Sequence, residues 1–414
     1  MTEYLTLQKL YYQDRSPDRD ATVKLIAEKR RNEESSFRTG IEIASGELFL
    51  AVPAQLSILS ERLLRVERKV SHLWRDLPGI AQGAYLRGLI LDEIMSTNEI
   101  EGVRSTRRQI EEALESVVSQ KQHTEYKRFK EFARLYLELT DKNRVYPKTP
   151  ADIRRIYDSI LLGELKEEDR PDGIIFRKDS VSIVTSSQKE VHIGVMPESE
   201  IIRMLEQMIA LVNSSDIPPT FSAIISHFLF EYIHPFYDGN GRTGRYLLTL
   251  YLSEPLSLPT VLSLSSVIAE NKAKYYKAFA TTEASVNHGE TTFFVIQMMD
   301  FIRLAQNSVI EDLEKKVRLL EIAASTLERA IETPYELVSK EKNVMFQAIQ
   351  HFLFGAFPEI SLENISRYSE ISMQTARKYS LKLEEKGLLE TVSLKPLKFR
   401  LTAQAIAALD ITDG

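Results

Sequence analysis

Apolar positions recur at helical spacing along most of the chain. Leu56, Leu59, Leu63, Leu64, Val66 and Val70 form one such set, and Tyr85, Leu86, Leu89, Ile90 and Ile94 form a second between Gly83 and Met95. Each predicts an amphipathic helix. The second runs into Ser96-Thr97-Asn98-Glu99-Ile100-Glu101-Gly102, with Gly102 as the stop and Glu101 in the last turn. A carboxylate there opposes the helix macrodipole, and on charge alone it reads as a solvated end. A further helical stretch is predicted over Arg107 to Leu139, interrupted at Val145 to Pro150, and Pro150-Ala151-Asp152 opens another to about Leu162. The period then changes to two. Val181 to Thr185 and Val191 to Val195, separated by Ser186 to Glu190, predict a hairpin that needs a helical body to rest on.

Pro197 ends the hairpin, and a helix is expected from Glu198 to Val212. Phe221, Ile224, Ile225, Phe228, Leu229, Tyr232 and Ile233 mark a helix face that delivers the chain to His234. Tyr246 to Leu252 is almost wholly apolar and predicts a buried helix, ended by Pro255 and Pro259. Helices follow over 265–280, 293–304 and 309–332, and Pro334 marks a boundary. Residues 341–402 suggest a winged helix: helices around Phe346 to Phe352, Leu362 to Tyr368 and Ser372 to Lys386, then Leu389 to Val392 paired with Lys398 to Leu401. Residues 1 to about 50 are mixed and charged, and Lys29-Arg30-Arg31 reads as a solvated face.

Composition narrows the function classes. At 414 residues the chain has room for two or three domains, and 43% hydrophobic with 27% charged residues is ordinary for a soluble globular protein. A net charge of −6 means any basic surface for nucleic acid must be local. With no cysteine, disulfides, thiolate nucleophiles and thiolate zinc sites are excluded. The charged first twenty residues are unlike a secretory signal, no window approaches a membrane span, and the cytoplasm is the expected location.

The stretch His234-Pro235-Phe236-Tyr237-Asp238-Gly239-Asn240-Gly241-Arg242-Thr243-Gly244-Arg245 holds more polar chemistry than a connecting turn requires. Gly239-x-Gly241-x-x-Gly244 matches a dinucleotide fingerprint, but a helix precedes it where a strand is needed. Its physics survives. Glycines let backbone amides approach an anion, a helix beginning near Arg242 would point its positive end at the same place, and Arg242 and Arg245 share a helix face. Asp238 would face a polyphosphate only with a cation between them, and magnesium commonly takes one or two carboxylates plus substrate phosphates. His234 suits proton abstraction near neutral pH. Together they imply attack of a hydroxyl on a magnesium-bound nucleotide phosphate.

The stretch resembles the signature of Fic proteins, His-Pro-Phe-x-Asp-Gly-Asn-Gly-Arg-x-x-Arg, at every fixed position from His234 to Arg245. The resemblance implies a mainly α fold, with a Fic-type helical core and a β-hairpin flap, and transfer of AMP from ATP with Mg2+ to a protein Ser, Thr or Tyr hydroxyl. His234 would be the base and Phe236, after Pro235, a buried anchor. Asp238 would bind magnesium. Asn240 and the amides around Gly239 and Gly241 would hold the α-phosphate region, and Arg242 and Arg245, flanking Gly244, the outer phosphates. Thr97-x-x-x-Glu101-Gly102 resembles the family's inhibitory motif, whose glutamate would pair with Arg245. The 181–195 hairpin would dock the target by strand addition, and Arg177 resembles a recurrent arginine at the start of the flap. Asn271, Tyr275 and Tyr276 resemble pocket-lining residues, although two tyrosines on a helix also read as core.

The resulting plan has an N-terminal helical region with the inhibitory motif at 1–105, a catalytic core at 106–308, a linker helix at 309–335 and a small C-terminal winged-helix domain at 336–414. Residues 372–402 carry Arg377, Lys378, Lys382, Lys386, Lys395, Lys398 and Arg400 against Glu384, Glu385 and Glu390, a local net of +4 that could contact DNA phosphates. Protein contact, homodimerisation or target recognition is favoured for this domain, since charge balances over the whole tail. Self-modification is a further expectation. The rivals are removal of AMP (de-AMPylation), with Glu101 positioning water, transfer of another phosphate-containing group, and a DNA-binding regulator whose Fic module senses nucleotide.

Overall fold

The structure is a computed structural model that describes residues 4–118, 128–141, 144–184, 190–329 and 336–412. The turn of the expected 181–195 hairpin, the middle of the helical stretch expected over 107–139 and the Pro334 boundary lie outside the described residues. The fold is mainly helical. By internal compactness it divides into two units, one within 1–68 and 92–306 and the other within 69–91 and 307–414.

The first unit begins with α1 (Leu7–Gln13) and α2 (Arg19–Arg31), followed by an antiparallel pair, β1 (Ser36–Ile43) and β2 (Gly46–Ala51). The mixed, charged first fifty residues, expected to belong to a helical region, thus contain a strand pair as well as two helices. Leu48, Phe49 and Leu50 are fully buried. Arg30 is also no solvated residue: its Nη1 donates to Glu290 at 2.8 Å and its guanidinium lies 4.0 Å from the Tyr4 ring centroid. Charge composition alone assigned that cluster to the surface, because the partner lies 260 positions away in sequence.

Two long helices follow, α3 (Ala54–Asp76) and α4 (Gly79–Ile100), and both cross the division between units. Gly102, at φ +70°, ends α4 by accepting the left-handed turn that its lack of a Cβ makes easy. The stretch expected as one helix over 107–139 is two, α5 (Arg107–Val118) and α6 (Lys130–Glu138), the second starting after Phe129 at φ +64°. α7 (Pro150–Ile160) opens with Pro150 and a capping box between Thr149 and Asp152, both of which satisfy the free amides of a helix start.

β3 (Ser182–Val184) and β4 (Glu190–Ile193) pair antiparallel, Ser182 opposite Ile193. α8 (Glu198–Val212) leads to α9 (Pro219–Ile233) and α10 (Asn240–Leu252). Twelve of the fifteen residues of α9 and twelve of the thirteen of α10 are buried, so these two helices form the centre of the unit. α11 (Leu258–Val261) and α12 (Leu264–Glu270) follow, and α13 (Lys272–Glu283) is separate from α12, whereas one helix was expected over 265–280. Asn271 makes the break: it leaves helical geometry and its side chain donates to the Val267 carbonyl at 2.9 Å. The helices expected at 293–304 and 309–332 are instead a single α14 (Thr292–Arg329), since buried Ala305 and Val309 continue its apolar stripe. α14 also crosses the division.

In the second unit, α15 (Ser339–Phe354), β5 (Glu359–Ser361), α16 (Leu362–Tyr368), α17 (Met373–Glu385), β6 (Leu389–Leu394), β7 (Leu397–Leu401) and α18 (Ala403–Ala408) follow in order. The sheet is antiparallel in the order β5-β7-β6, and Ile349, Ile360, Ile365, Leu383 and Phe399 make its fully buried core. Gly387, at φ +72°, turns the chain out of α17. No helix among the described residues is long and apolar enough to cross a membrane.

Candidate active site

The loop between α9 and α10 is assembled from inside outward. Phe236 is fully buried and stacks on Tyr157, with ring centroids 3.6 Å apart and Phe176 at 5.3 Å on another side. Asn240 closes the turn: its Oδ1 accepts from the Phe236 amide at 3.0 Å and its Nδ2 donates to the Phe236 carbonyl at 2.8 Å. Its carboxamide is thereby engaged in holding the loop, which leaves the amides at the start of α10 for an anion. Gly239 sits at φ +80°, and a Cβ there would also run into Leu161.

His234 terminates α9 in the left-handed region, at φ 51°, an uncommon conformation for a residue with a side chain. Arg177 holds it there. This guanidinium is fully buried and donates to the His234 carbonyl at 2.8 Å, to the Val195 carbonyl at 2.8 Å, to the Asp179 carbonyl at 2.7 Å and to the Ile233 carbonyl at 3.3 Å. Residues 179 and 195 flank β3 and β4, so one side chain ties the base of the hairpin to the base of the loop. His234 Nδ1 lies 3.3 Å from the Glu231 carbonyl, which can only accept. The ring proton therefore sits on Nδ1 and Nε2 keeps its lone pair. Burial, reinforced by the charges of His192 and Arg177, pushes the His234 imidazole down to about 4. It is neutral across the physiological range.

Arg245, 2% exposed in its side chain, donates Nε to Thr97 Oγ1 at 2.8 Å and Nη2 to the Thr97 carbonyl at 3.0 Å and to Glu101 Oε1 at 2.7 Å. This accounts for the unfavourable placement of Glu101. The guanidinium supplies positive charge and a donor at the C-terminal end of α4, where carbonyls lack helical partners. The Glu101 carboxylate also lies against Gly241, where an added Cβ would collide with its Oε1. A carboxylate therefore stands at the N-terminal start of α10, the position the sequence marks for phosphate. Arg242 is likewise held: its Nη1 donates to Glu164 Oε2 at 2.8 Å.

The remaining expected residues separate. Gly244 is buried beneath Glu231, whose carboxylate a Cβ would strike. Tyr275 is a core residue, with its hydroxyl donating to His227 Nε2 at 2.7 Å while His227 Nδ1 donates to the Gly244 carbonyl at 3.2 Å. Tyr276 is 52% exposed and within electrostatic reach of Glu101 and Arg245. Asn271 uses its side chain to end α12. Thus the structure brings Thr97, Glu101 and the loop together, keeps Tyr276 beside them and places Tyr275 behind them.

Three groups escaped sequence reasoning. Glu164 sits in a run of charges that reads as a solvated turn. Glu231 is pushed by burial up to about 8 and is protonated near neutrality. On β4, His192 lies between two acceptors, the Glu283 carboxylate at 2.8 Å from Nδ1 and the Tyr232 carbonyl at 2.7 Å from Nε2. Both contacts form only when both nitrogens carry protons. Burial disfavours that charge, but the Glu283 hydrogen bond and charge outweigh it and raise the His192 pKa. The alternation of the hairpin marked His192 as a strand residue, and nothing in it signalled the partners.

Asp238 is exposed, and its Oδ1 accepts from the Gly239 amide at 2.7 Å. Among the described residues no three His, Cys, Asp or Glu side chains cluster to hold a metal. One exposed carboxylate beside an anion loop fits magnesium that arrives with a nucleotide, and not a cage made by protein alone.

The arrangement sets a neutral imidazole at one end of the loop and two arginines at the other, with the Glu101 carboxylate against the start of α10. Residues 147–252 match the model of the Fic/DOC family, so this stretch of the chain is a Fic/DOC domain. A probable protein adenylyltransferase of Aquifex aeolicus is 42% identical over 73 residues, 18% of this chain and 21% of that protein. The protein adenylyltransferase fic-1 of Caenorhabditis elegans is 29% identical over 127 residues, 29% of this chain and 23% of that protein. The chain thus spans between a fifth and a quarter of the length of these two relatives. A crystal structure of a Fic family protein from Desulfovibrio desulfuricans superposes with a TM-score of 0.46 at 18% identity, covering 82% of this chain and 96% of that one.

Proposed function

We propose that the chain is a protein adenylyltransferase held off by Glu101. The observation that carries this reading is the Glu101 carboxylate bound by Arg245 and lying against Gly241, an anion where a nucleotide phosphate would bind. In the proposed reaction a substrate hydroxyl oxygen attacks the α-phosphorus of ATP. The bond from that phosphorus to the bridging oxygen breaks and pyrophosphate leaves. His234 Nε2 takes the hydroxyl proton, which its neutral state permits. Asp238 would hold a nucleotide-borne magnesium ion, which would offset the negative charge between carboxylate and phosphates. The α10 amides and Arg242 would bind the inner phosphates and Arg245 the outer one. The hairpin of β3 and β4, anchored by Arg177 and His192, would present an edge to the protein substrate.

Glu101 and a phosphate compete for the same guanidinium donors, so removal of Glu101 should release the reaction. The test is intact-mass spectrometry of the purified full chain, and of the chain mixed with candidate substrates, after incubation with ATP and magnesium. Glu101→Gly should gain the mass of an adenylyl group, and Glu101→Gly/His234→Ala should gain none. A different mass increment would reassign the transferred group. No gain of mass, together with unchanged ATP binding in Glu101→Gly, would end the reading.

A further inference from the structure

We propose that Glu164 is a second carboxylate gate on the same loop, holding Arg242 as Glu101 holds Arg245. Nucleotide phosphates would then reach both arginines only after two carboxylates from different elements withdraw. The inference rests on the reading of the α10 start as a polyphosphate site.

The pair is close and covered. Arg242 Nη1 and Glu164 Oε2 are 2.8 Å apart, and the two side chains are 2% and 9% exposed. Arg128 approaches the same Glu164 oxygen at 3.6 Å. Removing Glu101 would leave this contact in place. The Arg242 N–H that donates to Glu164 is withheld from a phosphate while the carboxylate holds it, because each N–H serves one good acceptor at a time.

The pair is also incompletely satisfied. Arg242 Nε and Glu164 Oε1 are both buried without a hydrogen-bond partner. A buried ion pair is stabilising only when its remaining donors and acceptors are met. Arg177 shows the alternative, since its Nε, Nη1 and Nη2 all donate to backbone carbonyls. An ion pair with two orphaned atoms is poorly optimised as a permanent fastening and well suited to exchange.

Its location supports the same conclusion. Glu164 closes a turn after α7, its amide bonded to the Leu161 carbonyl at 2.9 Å, with Gly163 at φ +81°. Leu161 is the residue that lies against Gly239. The turn therefore meets the loop at two points, and a shift there would uncover Arg242. Charge completes the case. Arg128, Arg242 and Arg245 balance Glu101, Glu164 and Asp238, three charges of each sign, and loss of both glutamates leaves a net positive group that attracts a polyphosphate.

The test is equilibrium binding of two probes, magnesium-ATP and inorganic tripolyphosphate, to full-length Glu101→Gly and Glu101→Gly/Glu164→Gln. Glu164→Gln should tighten both probes by about tenfold, within the usual range for coupled equilibria, with the melting temperature of Glu101→Gly retained. Unchanged or weaker binding of both probes in a folded double variant would overturn the gate and leave the adenylyltransferase reading standing. Conversely, tighter tripolyphosphate binding on Glu164→Gln with no ATP binding by any variant would support the gate and defeat that reading. If Glu164→Gln does not fold, Glu164→Asp replaces it: its shorter carboxylate should tighten tripolyphosphate by a smaller factor, and no change would overturn the proposal.

Discussion

Arg177 and Arg245 are both buried guanidiniums beside the same loop, and they illustrate two uses of one side chain. Arg177 donates only to backbone carbonyls, at His234, Ile233, Val195 and Asp179. Those acceptors are part of the chain's path and cannot leave. Arg245 shares its donors among the Thr97 hydroxyl, the Thr97 carbonyl and the Glu101 carboxylate. The last belongs to a side chain that is 32% exposed and joined to α4 by rotatable bonds. A buried cation with only main-chain partners is a fastener, and one whose strongest partner is a part-exposed carboxylate can exchange it for phosphate.

The contrast breaks first at Arg177. Arg177→Ala would strip several buried carbonyls of their donor, and at roughly 1–3 kcal/mol for each group left unmet the protein should lose about 3 kcal/mol or more of stability. Calorimetry or denaturant titration measures this, and a loss below ~1 kcal/mol would place Arg177 among ordinary surface residues. Glu101→Gly should act on the ligand instead, with ATP bound at least about tenfold more tightly. A large fall in melting temperature without tighter ATP binding would make Glu101 a structural residue.

Arg245→Ala should then erase the effect of Glu101→Gly, because both changes act on one contact. The double variant should bind ATP no better than Arg245→Ala alone, whereas independent sites would add. The smallest effects are expected with pH. With its base held near about 4, Glu101→Gly should transfer AMP at a rate that shows no histidine titration near the ordinary value of about 6.5 and declines only as pH approaches 4. A limb at the ordinary value would mean that His234 is solvated.

Stability carries a related signature. Burial holds His227 at about 3 and His234 at about 4, both below their unfolded values. The unfolded chain therefore binds more protons in acid, and stability should fall as pH drops from roughly 6.5 toward those values. His192 and Glu231 are raised, Glu231 to about 8. Their contributions are full below the unfolded pKa values and should be lost as pH climbs through the folded ones, loosening the hairpin on the alkaline side.

Much of the site was legible because its residues are contiguous. The His234–Arg245 stretch carries its histidine, glycines and arginines within twelve positions, so spacing along one chain segment was enough. The α9 face ending at Ile233 and the start of α8 were read from period and proline in the same way. Misreadings arose where a distant partner decides. Arg30 reads as solvated until Glu290 is placed on it. A charged turn conceals Glu164 until Arg242 approaches. The pair Tyr275 and Tyr276 has one sequence character and two fates, because a rotation of one helical position sends one ring to His227 and the other outward.

The sequence by itself determined a mainly helical chain with a compact loop of histidine, glycines and arginines, since helical period, turn chemistry and a short motif are local properties. Only the tertiary structure decided which partner each charge has. Glu101 and Arg245 stand 144 positions apart and meet at 2.7 Å, and Glu164 and Arg242 stand 78 apart and meet at 2.8 Å. Burial then turns those meetings into function. Low solvent access leaves His234 neutral, and it requires acceptors for each buried guanidinium, which are carbonyls at Arg177 and carboxylates at Arg242 and Arg245.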